Sequence, residues 1–172
     1  MKIHFHFILS LATITTQDAD YFSNKCVLGR NEINMENKIK LEMMSKSSNE
    51  AFARIAIAAF VSQLDPTIEE IADIKTAVSE AVTNCIIHAY EEKEGIIYVT
   101  CILKNREITI EVQDNGIGIE NIDMAKEPLY TSKPELERSG MGFTIMDSFM
   151  DEMKIESIVG MGTKVTMKKT IK

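Results

Sequence analysis

The chain alternates between two hydrophobic periods, and the places where the period changes mark its elements. Lys38–Met44 (KIKLEMM) repeats every second residue, with Ile39, Leu41 and Met43 on one side, and predicts a strand. Ser47-x-x-Glu50 has the form of a capping box ahead of AFARIAIAAFVSQL, a helix apolar almost all round in which Arg54 is the only charge. One face of such a helix lies on a sheet and another is covered by something else, so a homodimer or partner contact is expected there. Asp65-Pro66 breaks the chain, and Thr67 begins a second helical pattern that runs to about Tyr90. Ile71, Ile74, Val78, Ala81, Val82, Cys85 and Ala89 form its apolar stripe, with Asp73, Thr76, Glu80 and Asn84 opposite. After the charged turn Glu91–Gly95, IIYVTCILK and REITIEVQ read as two strands joined at Asn105 in a hairpin. The run from Asp114 to Gly142 is loop-like, holding Gly116, Gly118, Pro128, Pro134 and Gly140, and a loop of that length in a compact domain suits a lid over a ligand. Phe143–Met150 predicts a short helix, and Lys154–Val159 and Lys164–Lys168 predict two closing strands around Gly160-Met161-Gly162. Helices segregated from mostly antiparallel strands make an α+β protein, a two-layer sandwich.

Composition narrows the function classes. With 172 residues, 45% hydrophobic and 26% charged, the chain has one domain's length and the composition of a soluble globular protein. Nineteen Lys+Arg against 26 Asp+Glu leave a net charge of −7, so no basic field favours direct nucleic-acid binding. The three cysteines, Cys26, Cys85 and Cys101, have neither disulfide-framework nor zinc-site spacing, which points to a reducing, cytoplasmic compartment. The extension Met1–Asn34 opens with MKIHFHFILSL, an apolar stretch too short to span a membrane, and no membrane association is expected. Three readings of it stay open: a secretory signal interrupted by His4 and His6, a poorly ordered tail, or a true start at Met35.

Three motifs have the composition of a chemical site. Glu80 and Asn84 lie four apart on the second helix, so their side chains converge on one small volume. The carboxylate is suited to accept a proton from an attacking hydroxyl, and the Asn carbonyl is a hard oxygen ligand for Mg²⁺; a solvated helix face has the same composition. Asp114-Asn115-Gly116-Ile117-Gly118 follows a strand directly, with an acid placed to accept from an exocyclic amine and two glycines that let backbone approach a ligand, or simply form a turn. Gly140-Met141-Gly142 opens the short helix, where backbone amides favour phosphate. No P-loop, dinucleotide-binding or protein-kinase motif is present in the sequence.

In this order, E-x-x-x-N on a helix, D-x-G-x-G after a strand and G-x-G before a helix resemble the GHKL family of ATPases and kinases, over about Glu36 to Lys172. SEAVTNCIIHAY, DNGIGI and TSKPELERSGMGFTIMDSFMDE are similar to its branch of anti-sigma serine kinases from spore-forming bacteria. The resemblance implies a Bergerat-type sandwich over residues 35–172, helices on one face of the sheet, and a lid at about 119–140. It implies Glu80 as general base and Asn84 as Mg²⁺ ligand, with Asp114 binding the adenine amine, assisted by Thr163. Gly116 and Gly118 would let the base sit against the chain. Gly140, Met141, Gly142 and Phe143 would contact nucleotide, as would Thr131 and Lys133 in the lid. The implied cofactors are ATP/ADP and Mg²⁺, and the implied partners are a sporulation sigma factor and an anti-anti-sigma factor whose serine accepts phosphate. Arg54 and Arg138 are candidates for touching those partners, or else form surface salt bridges. A stress-response client, and a non-catalytic module that binds sigma factor in a nucleotide-dependent way, are the alternatives.

Overall fold

The computed structural model describes residues 36–90, 93–129 and 140–172. The chain divides into Met1–Ile33 and Asn34–Lys172, and every described residue lies in the second unit. Its elements run β1 (Glu36–Met44), α1 (Ser47–Val61), α2 (Ile68–Asn84), β2 (Ile96–Lys104), β3 (Glu107–Asp114), α3 (Ile122–Lys126), α4 (Gly142–Phe149), β4 (Glu152–Ile158) and β5 (Gly162–Thr170).

The strands form one five-stranded sheet in the order β1-β2-β3-β5-β4, with every neighbouring pair antiparallel. The β2–β3 hairpin forms as expected around Asn105, whose φ of 56° is the left-handed conformation a two-residue turn needs. Alternation then sorts the residues. Ile97, Val99, Cys101 and Leu103 of β2 and Ile108, Ile110 and Val112 of β3 are buried in the core with Ile74, Val78 and Val82 of α2. The outer face carries lysines and glutamates, including the exposed pairs Lys168–Glu152 (2.9 Å) and Lys164–Glu156 (3.2 Å), which add little stability. The result is the two-layer sandwich, with helices on one face.

Helix α1 starts without the expected capping box. Its N-cap is Lys46, with no side-chain bond, because Glu50 turns instead to Arg54 (3.1 Å) and to the hydroxyl of Ser79 on α2. The capping box forms one helix later: Thr67 Oγ1 accepts from the Glu70 amide (3.1 Å), and Glu70 accepts from the Thr67 amide (2.8 Å). Glu70 also accepts from the Lys172 amide (2.9 Å), tying the end of the chain to the start of α2. The exposed side of α1 carries Phe52 (57% exposed) and Ile55 (60%), as the apolar helix pattern predicted.

Helix α2 ends by widening into a π turn, Cys85–Ala89. The Ala89 carbonyl there accepts the Ile117 amide (2.8 Å) from the loop after β3. Tyr90 fastens the same loop, its hydroxyl accepting from the Asn115 amide (2.9 Å) and donating to the Ile96 carbonyl. A Cβ at Gly116 would sit 2.0 Å from the Ala89 oxygen, so this close approach requires glycine. The segment expected to be wholly loop contains α3, capped by Asn121 Oδ1 accepting from the Met124 amide (3.0 Å). No described helix is long and apolar enough to cross a membrane.

Two outcomes follow from these contacts. The amides of Lys172 and Thr67 hold the Glu70 carboxyl below its ordinary value of 4.5. Its contribution to stability is therefore complete above that pH and is lost as pH falls through the lower, folded value. The difference in melting temperature between the wild type and Glu70→Gln should shrink between about pH 6 and about pH 3, whereas a constant difference would refute the role. Gly116→Ala should destabilise the protein by about 1–3 kcal/mol, read as a lower denaturant midpoint. A wild-type midpoint would mean that the Gly116–Ala89 approach is not maintained.

Candidate functional site

The inner-face pattern of β3 reads Ile108, Ile110, Val112 and then Asp114, so a carboxylate occupies the place of the next core side chain. Asp114 is only 4% exposed. Burying an unpaired carboxylate costs several kcal/mol, and a set of donors offsets that. The amides of Gly116 (2.8 Å) and Thr163 (3.3 Å) both donate to Asp114 Oδ1, and the Cys85 thiol hydrogen-bonds the same carboxyl. Burial still prevails and raises the Asp114 carboxyl above its ordinary range, against the lowering effect of these donors. Burial likewise pushes the Cys85 thiol well up, with the neighbouring Asp114 charge acting in the same direction. Gly162 completes the fit: its φ of 107° and the Asp114 carbonyl, 2.2 Å from where a Cβ would lie, exclude any side chain.

Asp114 lines a cleft of about 600 Å³ between the end of α2, the loop after β3, α3 and the start of α4. Asn84, Gly118, Gly140, Gly142, Phe143 and Thr163, all expected from the sequence, also line it. Gly116 and Met141 do not line the cleft; Gly116 packs on Ala89, while Met141 is the N-cap residue of α4. Gly118 has a φ of 74° and packs against the Ile158 carbonyl, 2.4 Å from where its Cβ would lie.

Helix α4 brings the second motif to the third. It begins at Gly142, with Ile145 donating the first intrahelical bond to Met141 (2.8 Å), so the amides of Gly142, Phe143 and Thr144 have no acceptor within the helix. A Cβ on Gly142 would lie 3.2 Å from both Glu80 Oε2 and Asn84 Oδ1. The two oxygens therefore converge beneath the mouth of α4, and the α2 side opposite the apolar stripe is covered by a helix end rather than by solvent alone. Glu80 is not among the cleft-lining residues but adjoins them through this contact.

The donor set suits a hard divalent cation that takes one or two protein oxygens and draws its remaining ligands from phosphate and water. Among the described residues no cluster of three or more His, Cys, Asp or Glu can hold a metal by itself. Thr131, Lys133 and Arg138 lie outside the described residues. Arg54 lies on α1 and pairs with Glu50 (3.1 Å).

Sequence reasoning missed three participants. Cys85 reads as one more member of the apolar stripe, because a free thiol has the size and burial of a small hydrophobe. Ser157 is signalled only by a break in the inner-face series Met153, Ile155. His88, in the π turn that ends α2, lines the cleft.

Residues 45–169 match the histidine kinase-like ATPase domain family. The anti-sigma F factor of Clostridium kluyveri is 64% identical over 134 residues, covering 78% of this chain and 94% of that protein. The anti-sigma F factor of Clostridium acetobutylicum is 62% identical over 135 residues, again covering 78% and 94%. Among solved structures, the RsbU and RsbW domains of Rv1364c from Mycobacterium tuberculosis align with a TM-score of 0.57 at 18% identity, over 78% of this chain and 32% of that one. The histidine kinase domain of the Erythrobacter litoralis EL346 blue-light activated histidine kinase aligns with a TM-score of 0.50 at 19% identity, over 71% and 60%. Both structures share the fold. The chain belongs to the anti-sigma F factors, built on the histidine kinase-like ATPase domain of the GHKL type.

Proposed function

We propose that this anti-sigma factor is an ATP-dependent protein serine kinase. It binds and inhibits a sporulation sigma factor, sigma F, and inactivates the competing anti-anti-sigma factor by phosphorylating one of its serines. The observation that carries the reading is the convergence of Glu80 Oε2 and Asn84 Oδ1 under Gly142, beside a cleft floored by buried Asp114.

In this reading the adenine amine donates to Asp114, Thr163 and Gly118 bound the base, and the phosphates extend toward α4. The amides at the start of α4 and the positive end of its dipole hold the phosphate oxygens, with Gly140 and Met141 shaping the approach. Asn84 supplies a carbonyl ligand for Mg²⁺, which when bound neutralises phosphate charge. Glu80 accepts the proton of the serine hydroxyl as its oxygen attacks the terminal phosphorus and ADP departs. Phosphoryl transfer depends mainly on positioning and charge neutralisation, which this arrangement provides. Thr131 and Lys133 act from the lid. Arg54 and Arg138 face the partner proteins, while Phe52 and Ile55 belong to a homodimer surface. The work is cytoplasmic, and ATP against ADP sets the affinity for the sigma factor by differential binding.

Glu80→Gln should keep ATP binding and reduce transfer of labelled phosphate to the partner serine by about 10²–10⁴-fold. Near-normal transfer would remove Glu80 as the base. Loss of sigma-factor inhibition together with intact folding would argue that the residue serves binding instead. Asp114→Asn should weaken ATP binding by about 10–100-fold, as expected for a lost hydrogen bond to a charged group. Unchanged affinity in equilibrium titration would move the adenine site elsewhere.

A further inference from the structure

The cleft contains a hydroxyl in hydrogen-bond contact with a residue outside the cleft. Ser157 continues the inner face of β4 after Met153 and Ile155, and its register partner on β5 is Thr163. Thr163 lines the cleft, whereas Ser157 stands behind it.

A hydroxyl has one proton and two acceptor lone pairs. Ser157 Oγ donates to the Gly162 carbonyl at 3.1 Å, which uses its proton. It accepts the Ile119 amide at 2.8 Å, which uses one lone pair. Its third contact is Thr163 Oγ1 at 2.8 Å. Either hydroxyl can donate in that contact by its own geometry; with the Ser157 proton on the Gly162 carbonyl, Thr163 is the donor. The Thr163 hydroxyl is thereby committed to Ser157, and only its lone pairs remain for a ligand. Beside it Asp114 Oδ1 is an acceptor too, taking the Gly116 and Thr163 amides.

We infer that Ser157 is a specificity-determining positioning residue, which polarises Thr163 so that the cleft floor accepts purines carrying an exocyclic amine and rejects those carrying a 6-oxo group. An amine donor meets two acceptors there. A 6-oxo oxygen meets the same lone pairs with one of its own, an unpaired contact in a buried site, which discriminates more strongly than a shape difference. This inference rests on the adenine reading of Asp114.

The test compares equilibrium binding to the full chain of ATP and of inosine triphosphate, which carries a 6-oxo oxygen and an N1–H in place of the amine and the bare N1. Ser157→Ala frees the Thr163 proton to turn into the cleft and donate to a 6-oxo oxygen. The ATP preference should fall by about tenfold, mainly through tighter inosine triphosphate binding. Ser157→Thr, which keeps the hydroxyl, should retain the preference. Thr163→Val should lower it as well, and adding Ser157→Ala to Thr163→Val should lower it no further, because the two residues act as one unit. An equal loss of both nucleotides in Ser157→Ala, or a preference unchanged from the wild type, would overturn the inference and leave Ser157 a purely structural link. If Thr163→Val lowers the preference and Ser157→Ala adds a further independent loss, coupling is absent and the inference also fails. Asp114→Asn separates the two levels: unchanged ATP affinity in that variant overturns the adenine assignment itself, whereas weakened ATP binding with an unaltered Ser157→Ala preference overturns only the polarising role.

Discussion

A carboxylate sits where the alternation of β3 calls for another aliphatic side chain, and much of the surrounding geometry serves to keep it there. Asp114 must be satisfied by donors because it is almost wholly withdrawn from water. Those donors come from separate parts of the chain: the loop after β3, the start of β5 and the end of α2. Each brings its own element to the same point. The close approaches that leave no room for side chains at Gly116 and Gly162 are the steric counterpart of that convergence.

The second convergence depends on the absence of a side chain at Gly142. Because Glu80 Oε2 and Asn84 Oδ1 lie where a Cβ would press, the start of α4 can come down on α2 and aim its amides at the same space as those oxygens. Two modest features, a helix N-terminus and an i, i+4 pair, become one site through a single small residue. The short hydrophobic helix α4 is held there by Met146, which is buried in the core.

Much of this was legible in the sequence because it depends on period. The alternations of β2 and β3 set both the strands and the hairpin at Asn105, and the stripe on α2 identified a buried face on which Ile74, Val78 and Val82 now lie. Period tells which residues share a face and is silent on what covers it. The Glu80–Asn84 face, indistinguishable in sequence from a solvated one, is roofed by α4. Capping was misread at α1 because Glu50 has a better partner 29 residues away in Ser79, a tertiary contact no local motif encodes. The role of Ser157 was hidden for a similar reason: its meaning lies in the count of protons and lone pairs among Ile119, Gly162 and Thr163, which exists only once β4, β5 and the loop are assembled.

The π turn at the end of α2 joins the two convergences on one rod. Glu80 and Asn84 project from the regular helix, while Cys85, Ala89 and Tyr90 grip the Asp114 carboxyl and its loop just beyond. The ten steps from Glu80 to Tyr90 correspond to at most about 15 Å of helix axis, because the π turn has a wider coil than the α-helix before it. That segment acts as a ruler, with the Glu80 carboxylate at one graduation and the anchor of the Asp114 loop at the other. Length changes within it would alter the spacing of the two ends directly, whereas length changes beyond α3 would leave that spacing intact. The ruler is thus a part of the chain poorly able to accept insertion.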